Sequence, residues 1–164
     1  MTQKAEFNAE EWSQILEGAP TAAMIVIAAG KGGTIRESMS IGKAYAAEQE
    51  NADSTELLDA IVHDRPELDV KQYQDRSELP TVGMTHVKAA LDTLAAKATV
   101  VEAEDFKRFV YKVALTAAEA HKEGGFLGIG GTRVSEKEAE ALARIAETLD
   151  YDAPPLEPTG EDAG

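Results

Sequence analysis

Apolar positions recur every three to four residues through most of the chain, a rhythm that predicts α-helices rather than strands. The first helix is expected to open at Asn8, because Glu11 follows at the capping-box spacing and Trp12 then begins an apolar face. Gly18 is expected to end this helix, and Pro20 to start a second one. The pattern as a whole predicts an all-α fold, a single-domain helical bundle of about six or seven helices.

The same cap spacing recurs before later apolar stripes and predicts where further helices begin. The triplet TVV at 99–101 is interpreted instead as a brief extended piece, too short to build a sheet around. The predicted pairs of cap and acidic residue are Thr34 with Glu37, Asp53 with Glu56, and Ser135 with Glu138.

Two stretches of the sequence share one plan, an Ala-rich helix, a Gly-rich loop containing Gly-Gly-Thr, and a capped helix. They read AAMIVIAAGKGGTIRESMSIGKAYA and VALTAAEAHKEGGFLGIGGTRVSEKEAEALARIA. Stacked helix–loop–helix units would bury each other's apolar faces, so two related halves are one interpretation of the bundle. Ala-rich sequences also resemble one another easily, which leaves an unrelated pair as the alternative.

Length and composition set the domain organisation. The chain has 164 residues, of which 43% are hydrophobic, enough for one globular core. We expect a helical domain over 1–149. The remaining segment, DYDAPPLEPTGEDAG, is rich in proline and acidic residues without a basic one, so 150–164 is predicted to be a disordered acidic tail.

Net charge and cysteine content limit the classes of partner and of chemistry that we expect. The net charge of -14 disfavours nucleic acid and makes membrane contact unfavourable, whereas it would attract a basic protein face or a divalent cation. The absence of cysteine excludes disulfides, thiolate catalysis and Cys-ligated metals. No apolar signal core opens the sequence, so a cytoplasmic location is expected.

Catalytic motifs are missing from the sequence. The loop KGGTIRES begins like a phosphate-binding loop, but Ile35, Arg36 and Glu37 replace the glycine, lysine and hydroxyl residues that such a loop needs. No Glu-x-x-His pair and no Gly-x-Ser-x-Gly turn is present. We therefore expect a protein that is not an enzyme and that uses no cofactor.

The second Gly-rich loop, GGFLGIGG, is the leading candidate for function. Its apolar residues have no helical or strand period that would bury them, which suggests a docking point for a protein partner. The alternative is that the loop folds back and plugs the bundle. The candidate partner-binding residues are Phe126, Leu127 and Ile129.

The stretches AAMIVIAAGKGGTIRES and AAEAHKEGGFLGIGGTRVSEKEAEALARIAETL resemble the TerB-like domain of tellurite-resistance proteins. The resemblance implies an all-helical fold of two related halves, a stress-associated scaffold role and an acidic cation site. Lys31 stands where the family carries an acidic residue, so a site for Ca²⁺ or Mg²⁺ would survive only in the second half. Its candidate ligands are Glu123, Glu136 and Glu138. A non-catalytic interaction domain is the leading hypothesis, and a divalent-cation-binding domain is the alternative.

Overall fold

A computed structural model describes residues 1–30, 34–66, 77–120 and 134–156, with the backbone alone for 34–38. All regular structure within these residues is helical, which confirms the expected all-α bundle. A short 3-10 turn (Lys4–Glu6) precedes six α-helices: α1 (Ala9–Ala29), α2 (Thr34–Gln49), α3 (Glu56–His63), α4 (Leu79–Ala95), α5 (Val100–Ala120) and α6 (Glu136–Leu149).

Helix α1 contacts four other helices of the bundle. It is longer than the sequence predicted. It continues without interruption through Gly18 and Pro20, which the sequence analysis took as the end of one helix and the start of the next. An internal proline costs about 3 kcal/mol through its missing N–H and its ring. Burial of each large apolar side chain stabilises the folded state by about 1.5–3 kcal/mol. Because Ile15, Ile25 and Val26 are all almost fully buried, packing outweighs the local penalty.

Gly18 is needed for close packing rather than for a turn. A Cβ atom at this position would lie 3.0 Å from the Cβ of Ala90 in α4 and 3.2 Å from Cζ of Phe106 in α5. The missing side chain thus lets both helices approach the middle of α1. A glycine inside a helix costs only about 1 kcal/mol, which this contact offsets.

Two predicted helix caps are confirmed and one is wrong. Asn8 and Ser135 each accept a hydrogen bond from the backbone N–H three residues on, as capping boxes do. Asp53 is not a cap: α3 begins after Thr55, whose hydroxyl accepts from the N–H of Leu58 at 3.3 Å. The predicted Thr34–Glu37 pair involves side chains outside the described residues, although α2 does start at Thr34.

The triplet TVV is not extended. Val100 and Val101 form the first turn of α5, and Thr99 precedes them as the cap. The hydroxyl of Thr99 accepts from the backbone N–H of Glu102 at 3.3 Å, while the Glu102 carboxylate accepts from the backbone N–H of Thr99 at 2.8 Å. This reciprocal box holds two β-branched residues in a helical turn despite their preference for strands.

The helices of the two similar stretches pack together. Helix α1 contacts both α5 and α6, and α2 contacts α5, while α1 also packs against α4. Stacking of two helix–loop–helix units is thus compatible with the arrangement, and their common origin stays a prediction.

The chain remains in contact with the bundle beyond the boundary at 149. Asp150 ends α6 in the left-handed conformation, with φ of 48°. Tyr151 then packs its ring against Tyr111 of α5, with 5.5 Å between the centroids, and Ala153 and Leu156 also rest on the core. The rest of the predicted acidic tail, 157–164, lies outside the described residues.

Candidate functional site

The predicted docking loop lies outside the described part of the chain. Residues 121–133 are not described, and this range contains Phe126, Leu127 and Ile129 together with the predicted ligand Glu123. Their role in partner or cation binding therefore stays a prediction.

The two other predicted cation ligands lie in the first turn of α6. Glu136 is exposed, whereas Glu138 is 2% exposed and accepts hydrogen bonds from the backbone N–H and the hydroxyl of Ser135, at 2.8 and 2.6 Å. Glu138 also fills the space beside Gly30, where a Cβ would lie 2.5 Å from its Oε1. This carboxylate thus packs between the end of α1 and the start of α6. Among the described residues, no three His, Asp or Glu side chains are grouped as metal ligands.

A buried carboxylate at the end of α2 forms the densest ionic network of the described structure. Glu48 has no exposed surface and accepts from Arg108 and Lys112 of α5 and from Asn51 and Ser54 after α2. Burial raises the pKa of Glu48, but these donors outweigh it and hold the pKa well below its usual range. With its donors in place around it, the cluster joins α2 to α5.

A second buried carboxylate holds the N-terminal segment of the chain. Glu102 is 4% exposed, and it accepts from the backbone N–H and the hydroxyl of Thr2, both at 2.8 Å, in addition to its bonds with Thr99. Burial raises the pKa of Glu102, yet the hydrogen bonds from Thr99 and Thr2 lower it to about 2. The carboxylate is therefore charged at neutral pH and pins Thr2 against the start of α5.

Two lysines fix the rest of this segment. Lys97 donates to the backbone carbonyl of Glu6 at 2.9 Å and pairs with Glu11 at 2.6 Å. Lys4 pairs with Asp64 after α3, and the same carboxylate accepts from the indole N–H of Trp12 at 3.0 Å. Residues 2–7 are consequently tied to three different parts of the bundle.

The segment and the first turns of α1 enclose an open groove of about 740 Å³. Phe7 and Trp12 form its buried floor, with 5.7 Å between their ring centroids, and Leu16 extends the floor by one helical turn. The remaining lining residues are small or polar: Gln3, Lys4, Ala5, Asn8, Ala9 and Ser13.

Sequence reasoning missed this groove, although one signal pointed to it. Phe7 stands directly before the cap Asn8 and Trp12 stands four residues after it, which is the spacing of a hydrophobic staple. The staple predicts the contact between the two rings. The tie between Thr2 and Glu102 joins residues 100 positions apart, and no local pattern reveals it.

Comparisons with known proteins do not place the chain in a family. No family model, curated protein or solved structure matches the chain. The TerB-like resemblance accordingly rests on the sequence stretches quoted above. Within the described residues, no helix combines the length and apolarity required to cross a membrane.

Proposed function

We propose that the chain is a non-catalytic protein-interaction domain, a stress-associated scaffold of the cytoplasm, whose partner docks in the groove beside the start of α1. The observation that carries this proposal is the open groove whose apolar floor is made by Phe7, Trp12 and Leu16. A concave site of about 300–1,000 Å³ with an apolar lining and a few polar groups is typical of binding sites.

The polar groups of the groove favour binding over catalysis. Lys4 is the titratable side chain of the lining, and it is already paired with Asp64. The hydroxyl of Ser13 lies 3.5 Å from the carboxylate of Glu17, and no histidine belongs to the described lining that could activate it. These groups can orient a ligand but do not form a nucleophile and base pair.

Site-specific photocrosslinking in the native cell tests this proposal. A photoreactive phenylalanine analogue at Ser13, an exposed residue of the lining, should capture a discrete protein partner. The same analogue at Thr85, exposed on α4, is the matched control and should capture none. A third placement at Phe126 asks whether the predicted loop contacts the same partner.

A groove variant separates true docking from chance proximity. Leu16→Asp puts a charge into the apolar floor and should abolish the crosslink from Ser13 while the helical circular dichroism signal persists. Equal crosslinking from Ser13 and Thr85, or a crosslink that survives in Leu16→Asp, would contradict docking in the groove.

A further inference from the structure

The charges around the groove carry information about what it binds. Glu10 and Glu17 are seven residues apart and so lie along one line of α1, beside Ser13 of the lining. The Ser13 hydroxyl is 3.5 Å from the Glu17 carboxylate, which places that charge at the rim. Glu6 adds another exposed carboxylate next to Gln3, from whose backbone N–H it accepts at 2.9 Å.

The cations beside the groove do not offset this negative rim. Lys4 lies over the ring of Trp12, 5.6 Å from its centroid, and is paired with Asp64. Lys97 is paired with Glu11. Lys97 also lies over the ring of Phe7, 5.4 Å from its centroid. The rim therefore presents carboxylates that have no ammonium partner among the described residues, in a chain of net charge -14.

We propose that the groove takes a basic segment of a partner protein, with a large apolar side chain seated on Phe7, Trp12 and Leu16 and flanking Lys or Arg residues facing Glu10 and Glu17. This inference rests on the proposed interaction function and names the chemistry of the partner. An apolar anchor supplies the buried area, and the charges on either side supply orientation and a fast encounter.

Trp12 is the only tryptophan of the chain, so its fluorescence reports on the groove alone. The full chain is titrated with three end-blocked peptides, the basic apolar KKLLFKK, the acidic apolar EELLFEE and the basic polar KKSSSKK. We expect KKLLFKK to bind at least about tenfold more tightly than either of the others, and its affinity to fall as the salt concentration rises.

A matched pair of charge reversals locates the effect. Glu10→Lys with Glu17→Lys reverses two rim charges, and Glu140→Lys with Glu147→Lys makes the same change at the same spacing on the exposed face of α6. The first pair should weaken KKLLFKK about tenfold, while the second pair should leave its affinity within about twofold of the wild type.

Several outcomes overturn the inference. If EELLFEE bound as tightly as KKLLFKK, the groove would not require positive charge. If KKSSSKK bound as tightly, the groove would not require an apolar anchor. If none of the three peptides bound, the proposed basic segment would be wrong. Trp12 emission that changes with protein concentration alone would make a second copy of the chain the occupant. If a crosslink still forms from Ser13 in that case, the interaction function stands and only this choice of partner fails.

Discussion

Two buried glutamates of the bundle illustrate opposite ways of holding a charge. Glu48 is satisfied mainly by the cationic side chains of Arg108 and Lys112, inside the contact between α2 and α5. Glu102 instead takes its hydrogen bonds from neutral groups of Thr2 and Thr99. Both carboxylates have lowered pKa values, yet the first joins two long helices and the second secures a segment of a few residues.

We therefore expect the loss of each carboxylate to have a different consequence. Loss of Glu48 leaves Lys112 without its ion-pair partner and Arg108 with Asp105 alone, inside the packing of α2 on α5, and should affect the whole bundle. Loss of Glu102 frees Thr2 and so removes one of the three ties of the segment that forms one wall of the groove. The first site thus supports the fold, and the second supports the candidate docking surface.

Of the two buried glutamates, Glu48 should show the larger effect, in the variant Glu48→Ala. We expect the free energy of unfolding to fall by about 3 kcal/mol, the lower end for a broken buried pair, because Arg108 and Lys112 keep 32% and 40% of their side chains exposed. Urea denaturation measures this loss. Asp92→Ala is the control, since Asp92 and its partner Lys88 keep 60% and 59% of their side chains exposed and the pair should contribute less than about 1 kcal/mol. Equal losses in the two variants would contradict the role of the network.

Glu102→Gln should have a smaller and more local effect. It keeps the side-chain shape but exchanges a charged acceptor for an amide, so we expect a loss of about 1–2 kcal/mol. Backbone hydrogen exchange should accelerate in residues 2–7 and remain slow in the middle of α1. Thr99→Ser, which retains the capping hydroxyl, should change neither quantity. Faster exchange throughout α1 would show that Glu102 supports the entire bundle.

The pH dependence of the same variant sharpens the distinction. The pKa of Glu102 is about 2 in the folded chain against 4.5 for an unperturbed glutamate, so its stabilisation is complete above pH 4.5 and is lost as the pH falls toward 2. Other carboxylates titrate in both proteins. The difference in unfolding free energy between the wild type and Glu102→Gln should therefore shrink as the pH falls below 4.5 and vanish below pH 2. A difference that stays constant over this pH range would contradict the lowered pKa of Glu102 in the folded chain.

Tyr45→Phe should have the smallest effect, and of the opposite sign. The hydroxyl of Tyr45 is buried in the contact between α2 and α5 without a hydrogen-bond partner among the described residues. Its removal should leave the unfolding free energy unchanged or raise it by up to about 1 kcal/mol. Phe109→Ala, which removes the ring 5.0 Å from that of Tyr45, should instead cost about 3 kcal/mol or more in a thermal or urea melt. A clear loss in Tyr45→Phe would indicate that the hydroxyl is satisfied.

Local signals in the sequence predicted the class of fold and part of its detail. Caps at Asn8 and Ser135 lie within three residues of the groups they bind, so spacing alone was enough to find them. Gly18 and Pro20 misled because their helix-breaking tendency is local, whereas the packing that overrides it comes from α4 and α5. Intrinsic helix propensity does not include this stabilisation by tertiary packing.

The candidate site was harder to predict for the same reason. The groove depends on Thr2 meeting Glu102 and on Lys4 meeting Asp64, contacts that join distant parts of the chain. Sequence reasoning favoured the apolar residues of the second Gly-rich loop because they break the helical pattern. Trp12 fits that pattern and was predicted only as the start of an apolar face; the structure buries it beside Phe7, where both residues line the groove.

The most direct test of the account is the affinity of the basic apolar peptide KKLLFKK for Glu102→Gln, read from Trp12 emission at neutral pH beside the wild type. If Glu102 holds the wall of the groove, the binding-competent state becomes a minor one and the affinity falls about tenfold, equivalent to about 1.4 kcal/mol. An affinity equal to that of the wild type would contradict the claim that the pinned N-terminal segment forms the docking surface.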